Sequence, residues 1–212
     1  MNLLFDLDGT LTDPFLGITQ CILYALERLG RPLPVRERLR WCIGPPLKNS
    51  FLKLLASDDE ALAEKALAQY RERYSAVGLF ENAVYKGIPQ VLAALRQSGH
   101  TLYVATSKPT IFADRIVAHF GLRAYFKQIF GSELDGTRND KTQLISYILG
   151  KESLAASATV MIGDRKHDII GGRNNGLQGV GVLWGYGTKE ELTSAGAQAC
   201  IAHPSDLIMK FC

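Results

Sequence analysis

A chain of 212 residues that is 47% hydrophobic and 21% charged has the apolar content to bury a sizeable core, and disorder is not expected of it. The formal charge of +3 is dispersed, with Lys and Arg interleaved among Asp and Glu, which argues against a surface for a nucleic-acid polymer. Cys21, Cys42, Cys200 and Cys212 have neither zinc-site spacing nor the density of a disulfide scaffold, the start lacks the basic flank of a signal peptide, and no apolar run approaches the ~20 residues that span a bilayer, so the expectation is a soluble cytoplasmic protein with reduced thiols and no membrane partner.

The first apolar run, Asn2–Phe5, reads as a buried strand, and Asp6-Leu7-Asp8-Gly9-Thr10 follows it directly. Ligands of open α/β folds bind beyond the carboxyl ends of strands, and an Asp at such a place is costly to desolvate unless a cation or donors offset it. A single Asp there would read as a cap or turn residue. Two of them on a Gly-Thr turn, with a second acidic cluster downstream, read as a site. Roughly ninety residues then separate the first strand from the second, far more than a crossover helix requires. Helical patterns fill them: Phe15–Leu29 stopping at Gly30, short segments at 35–41 and 47–56 around the Gly44-Pro45-Pro46 breaker, and Ala61–Tyr74 ending near Gly78. Residues 14–83 are therefore expected to form a small helical cap domain, inserted into a core made of 1–13 and 84–212, with joints near Asp13-Pro14 and Tyr85-Lys86-Gly87.

Beyond the insertion, helical and apolar runs alternate: Ile88–Gln97 (helix), Thr101–Ala105 (strand), Ile111–Phe120 (helix), Gln128–Phe130 (strand), Lys141–Leu149 (helix), then strands at Thr159–Ile162, Val180–Leu183 and Ala199–Ala202. That alternation predicts an α/β fold with a doubly wound, mainly parallel, Rossmann-like sheet. Thr106 and Ser107 fall at one strand end, where a hydroxyl and a free amide can bind phosphate oxygens. Lys141, after Asn139-Asp140 at a helix start, can neutralise phosphate as a point charge. Gly163-Asp164-Arg165-Lys166-His167-Asp168 ends another strand, ahead of a helix expected to begin near Ile169. Asp6, Asp164 and Asp168, with water and a backbone carbonyl, would give the hard oxygen shell that Mg²⁺ prefers. His167, a poor partner for Mg²⁺, is read as a local structural residue.

These four stretches stand in the order and at the approximate separations of the four motifs of the haloacid dehalogenase superfamily, which the chain resembles over almost its whole length. The helical insertion is similar to the cap of the phosphoglycolate phosphatase and β-phosphoglucomutase group. A narrower likeness, in Ile43-Gly44-Pro45-Pro46-Leu47, Gly163–Ile169 and Gly181-Val182-Leu183-Trp184-Gly185-Tyr186-Gly187, is to a bacterial branch described as 5'-nucleotidases. One departure stands out: relatives often carry proline soon after the third-motif lysine, whereas Lys141 is followed by Thr142 and Gln143. The resemblance implies that Asp6 is a nucleophile forming an aspartyl-phosphate, that Asp8 is the general acid and base and gives a Mg²⁺ ion its carbonyl, and that Asp6, Asp164 and Asp168 hold that ion. Lys141 would stabilise charge on the phosphoryl group, while Thr106 and the Ser107 amide would orient it.

The implied activity is Mg²⁺-dependent hydrolysis of a small phosphorylated metabolite, favouring a nucleoside 5'-monophosphate, by a monomer or homodimer. Phosphoglycolate phosphatase and phosphomutase are the enzymatic alternatives. A receiver-like phospho-acceptor is opposed by the first-strand nucleophile and by the large insertion. A compact acid would call for a cap cation such as Arg40 or Lys48, and a nucleoside for an aromatic face such as Trp41, Phe51 or Phe15.

Overall fold

The computed structural model describes all residues from Met1 to Cys212. In chain order the elements are β1 (Asn2–Phe5), β2 (Thr12–Asp13), α1 (Phe15–Arg28), α2 (Leu47–Leu55), α3 (Glu60–Arg73), β3 (Ala83–Val84), α4 (Ile88–Gln97), β4 (Thr101–Pro109), α5 (Thr110–His119), β5 (Gln128–Ser132), α6 (Lys141–Glu152), β6 (Thr159–Gly163), α7 (Lys166–Asn174), β7 (Gln178–Val182), α8 (Lys189–Ala195), β8 (Ala199–Ile201) and α9 (Asp206–Phe211). Two compact units result, one of Met1–Asp13 with Val84–Cys212, the other of Pro14–Ala83.

The first unit is built on a six-stranded parallel sheet of order β5-β4-β1-β6-β7-β8. Leu3, Leu4 and Phe5 of β1 are fully buried, as a strand covered on both faces must be, which is why it reads as an unbroken apolar run. Its neighbours are in register with it, Asn2 opposite both Thr101 and Thr159. The chain builds outward from β1 to β4 and β5, then returns to the other side of β1 for β6 through β8. That reversal opens a crevice at the carboxyl ends of β1, β4 and β6, where open α/β sheets receive ligands. Beneath it Leu4, Tyr103, Phe130 and Met161 from the strands pack with Leu144, Ile145 and Ile148 of α6.

Several elements depart from their expected bounds by a few residues, and for two of them the cause is visible. β4 runs four residues past Ala105, because it regains pairing at Pro109 opposite Ser132 after a register shift. α7 begins at Lys166 rather than near Ile169, since the Asp168 carboxylate accepts the Arg165 backbone N–H at 3.0 Å and closes the first turn.

The second unit packs α1, α2 and α3 through Ile18, Cys21, Ile22 and Leu26 on α1, Phe51 on α2, and Ala63, Ala66 and Tyr70 on α3. Phe51 meets Tyr70 edge-on at 6.2 Å, and Tyr70 stacks on Tyr74 at 5.0 Å. The expected segment at 35–41 is wound as a tight 3₁₀ stretch, Arg36–Cys42. Gly17 lets α1 approach the chain at Gly78, whose carbonyl would lie 2.1 Å from any Cβ added there. Within the first unit, Tyr85 N–H already donates to Leu11 O at 3.1 Å, so the chain has rejoined the core fold before Gly87.

Candidate active site at the carboxyl end of the central strand

β1 delivers Asp6 as it leaves the sheet, its N–H still donating to Ile162 O on β6 at 2.9 Å. Leu7 O then accepts from the N–H groups of Thr10, Leu11 and Thr12 at 3.3, 2.9 and 3.0 Å, folding the chain into a tight turn. Gly9 makes the turn possible: its φ is +84°, and a Cβ there would sit 2.2 Å from the Asp164 carboxylate.

Asp164, at the end of β6, is fully buried. Its carboxylate accepts from Thr10 Oγ1 at 3.3 Å and from Tyr186 N–H at 2.8 Å. The loop Trp184–Gly187 wraps this carboxylate closely. A Cβ at Gly185 would come within 2.4 Å of Asp164 Cβ, and one at Gly187 within 2.0 Å of Asp164 O. Trp184 Nε1–H donates to Thr10 O at 3.0 Å, and the Tyr186 hydroxyl hydrogen-bonds Asp13.

Asp168 is the third residue of α7, and Lys141 is the first of α6, whose start is capped by Asp140 accepting from Gln143 N–H at 3.0 Å. Gly171 on α7 allows the close approach of α6 that this needs, a Cβ there being 2.7 Å from Lys141 Cβ. The buried Lys141 ammonium donates to Ala105 O at 2.7 Å and pairs with Asp6 at 2.9 Å and Asp168 at 2.6 Å.

Oxygens of Asp6, Asp164 and Asp168 thus gather within 4.8 Å of one another. Three carboxylates face one ammonium, so with all groups ionised the buried cluster carries two uncompensated negative charges. The titration of the groups reflects this. Burial, then repulsion from Asp168 and Asp6, pushes Asp164 well above the usual carboxylate range. Burial likewise moves Asp168 up, to about 6, against the pull of Lys141. Burial alone would depress Lys141, but Asp168 and Asp6 outweigh it and raise the ammonium's pKa. A buried, anionic, all-oxygen cluster fits a hard divalent cation, which would supply the missing charge.

Asp8 lies apart from that cluster. Its carboxylate meets Lys108 Nζ at 2.7 Å, in a pair whose side chains are 7% and 13% exposed. Burial raises its pKa, Lys108 opposes the rise and Asp6 adds to it. Thr106, buried at the end of β4, accepts the Lys108 backbone N–H on Oγ1 at 3.2 Å, and Ser107 O accepts from Ser132 Oγ at 2.9 Å. Neither contact joins these residues to a carboxylate. His167 is exposed on α7.

Of the residues in the helical unit, Phe51 is packed in its core and unavailable as a stacking face. Lys48 pairs with Glu60 at 3.1 Å and Glu64 at 2.9 Å. Arg36 and Arg40 lie 5.8 and 5.6 Å from the Phe15 ring, and Trp41 stays exposed with Lys53 5.6 Å from its ring.

Sequence reasoning gave no role to Lys108, Thr10 or Tyr186. A lysine after a strand end is ordinarily solvated, and its partner Asp8 is 100 positions away. Thr10 and the Gly185-Tyr186-Gly187 string were visible as motif residues, without a sign that they grip Asp164.

Comparison with known proteins agrees with this geometry. Residues 3–182 match the profile of the haloacid dehalogenase-like hydrolase family. A 5'-nucleotidase of Pseudomonas aeruginosa is 52% identical over 191 residues, covering 90% of this chain and 86% of that protein. The tyrosine-protein kinase PtkA of Mycobacterium tuberculosis is 39% identical over 87% of this chain, which spans 62% of PtkA. The crystal structure of a predicted phosphatase from Clostridium acetobutylicum superposes with a TM-score of 0.94 at 42% identity, covering 99% of this chain and 96% of that one.

Proposed function

We propose that this chain, which belongs to the haloacid dehalogenase-like hydrolase family, is a Mg²⁺-dependent phosphatase that removes phosphate from a nucleoside 5'-monophosphate by way of an aspartyl-phosphate on Asp6. The observation that carries the chemistry is Asp6 at the end of the central strand, paired with a buried ammonium and grouped with two further buried carboxylates.

In the first step a carboxylate oxygen of Asp6 attacks phosphorus as the bond to the leaving oxygen breaks, and protonated Asp8 gives that oxygen its proton. Asp8, now a carboxylate, takes a proton from the water that attacks the phosphoryl group. The phosphorus bond to Asp6 then breaks, and inorganic phosphate leaves. Lys141 offsets charge on Asp6 and on the incoming phosphoryl group, and the Thr106 hydroxyl with the Ser107 amide orients the phosphoryl oxygens. Asp6, Asp164, Asp168 and the Asp8 carbonyl would hold Mg²⁺, which when bound neutralises phosphate charge that these carboxylates would otherwise repel.

The nucleotide preference rests on the 52%-identical relative named a 5'-nucleotidase and on Trp41, an aromatic left exposed on the helical unit. We assign selection of the leaving group to the domain of residues 14–83. Phosphate release from UMP, IMP and phosphoglycolate, with Mg²⁺ and with excess chelator, tests both parts. The expected result is a higher kcat/KM for UMP or IMP than for phosphoglycolate, and no release with chelator. Undiminished release without metal overturns the Mg²⁺ assignment, and a tenfold advantage for phosphoglycolate overturns the nucleotidase assignment.

A further inference from the structure

Asp8 is two residues from Asp6 in the chain, yet the carboxylate oxygens that gather within 4.8 Å are those of Asp6, Asp164 and Asp168. What Asp8 meets instead is Lys108 Nζ at 2.7 Å. The lysine is firmly seated. Its N–H donates to Thr106 Oγ1 at 3.2 Å, the Ser107 carbonyl before it accepts from Ser132 Oγ at 2.9 Å, and Gly131 admits its own carbonyl so closely that a Cβ there would lie 2.3 Å away. The ion pair therefore ties the turn after β1 to the end of β4, across the same crevice.

A carboxylate within reach of an anionic oxygen cluster that takes a divalent ion is drawn into that ion's shell by Coulomb attraction. Once there it could no longer carry a proton to a leaving group. A competing cation paired with that carboxylate, as Lys108 is with Asp8 at 2.7 Å, opposes this. We infer that Lys108 is a positioning residue that holds the Asp8 carboxyl out of the cation cluster and keeps it available to the leaving-group oxygen. The inference rests on the phosphatase reading and deepens it, since it gives the general acid an ion-pair partner in Lys108.

The test compares IMP, whose alkoxide leaving group needs a proton, with p-nitrophenyl phosphate, whose phenolate does not. In Lys108→Met, kcat is expected to fall ~10–100-fold on IMP and less than about threefold on p-nitrophenyl phosphate, the signature of a misplaced general acid. In an Asp8→Asn background the same change should add almost nothing, because the two residues act as one unit. Lys108→Arg should recover part of the IMP rate. Mg²⁺ titrated calorimetrically into Lys108→Met should bind more tightly than to wild type, as Asp8 joins the shell. Equal losses on both substrates, a rise in KM at constant kcat, or an undiminished effect in Asp8→Asn would overturn the inference. Should Lys108→Met not fold, the ratio of IMP to p-nitrophenyl phosphate rates in Lys108→Gln and Lys108→Arg decides the same question. A wild-type protein that hydrolyses neither substrate defeats the phosphatase reading itself, whereas a working wild type whose variants show no leaving-group dependence defeats only the role of Lys108.

Discussion

Two lysines serve the carboxylates at the mouth of the sheet, and they serve them differently. Lys141 is shared between Asp6 and Asp168, while Asp164 beside them is held by a hydroxyl and an amide. Lys108 pairs with Asp8. The first arrangement, three carboxylates to one ammonium, is short of positive charge and would suit a cation. The second sets one ammonium against one carboxylate, which on our inference keeps that carboxyl out of the cluster. On the proposed mechanism, the placement of two ammonium groups divides the four aspartates into a metal-binding set and a proton carrier.

The sharpest way to break this division is to remove one carboxylate from each side. Asp6→Asn is nearly isosteric and should leave less than about 10⁻⁴ of wild-type phosphate release, as loss of a nucleophile does in comparable enzymes. Its Tm without metal should be no lower than wild type, because a charge has been taken from an overcharged cluster. Asp8→Asn should leave more activity, with a loss of ~10²–10³-fold on IMP. Activity of Asp6→Asn within tenfold of wild type would place the nucleophile elsewhere.

Removing the shared cation comes next. Lys141→Met leaves three buried carboxylates facing one another and should destabilise the metal-free protein by ~3–5 kcal/mol in chemical denaturation, with part of the loss recovered in Mg²⁺. Lys108→Met should cost less, as it strands a single carboxylate. Equal losses for the two lysines would erase the distinction drawn between them.

The smallest effect is on pH. Asp168 has its folded pKa moved up to about 6, and Asp164 is raised as well, so in this range the folded metal-free protein holds protons that the unfolded chain does not. The contribution of Asp168 to stability therefore falls as pH rises from about 4 to about 6, and below about 6 Mg²⁺ must displace its proton. The Mg²⁺-induced rise in Tm should be large at pH 7.5 and shrink at pH 5. A rise of the same size at both would show that the cluster is not the cation's seat.

Much of this was readable from residues alone. Buried parallel strands announce themselves as apolar runs, so the sheet and the carboxylates at its strand ends, Asp6 and Asp164, follow from local pattern. Lys141 was suggested by its place at a helix start even without the usual nearby proline. Local pattern puts the start of α7 near Ile169, three residues late, because it does not show that the Asp168 side chain closes the helix's first turn. Lys108 was opaque for a different reason: its role depends on a partner one strand away in space and 100 residues away in sequence, and no local pattern encodes that. Phe51 looked like a possible stacking face, but packing against Tyr70 takes it out of reach.

The loop at Trp184–Gly187 grips Asp164 with a main-chain amide, and its neighbours are glycines because nothing larger fits. An amide is present whatever residue other than proline occupies the position, so substitution at 186 cannot easily cost Asp164 its donor. The Tyr186 hydroxyl, by contrast, is the only part of that residue that reaches Asp13 through the bond described. Tyr186→Phe therefore separates the two attachments, cutting the tie to Asp13 and sparing the one to Asp164. Mutational tolerance at this loop is accordingly inverted from what side-chain chemistry suggests: the flanking hydrogen atoms of Gly185 and Gly187 are harder to replace than the aromatic ring between them.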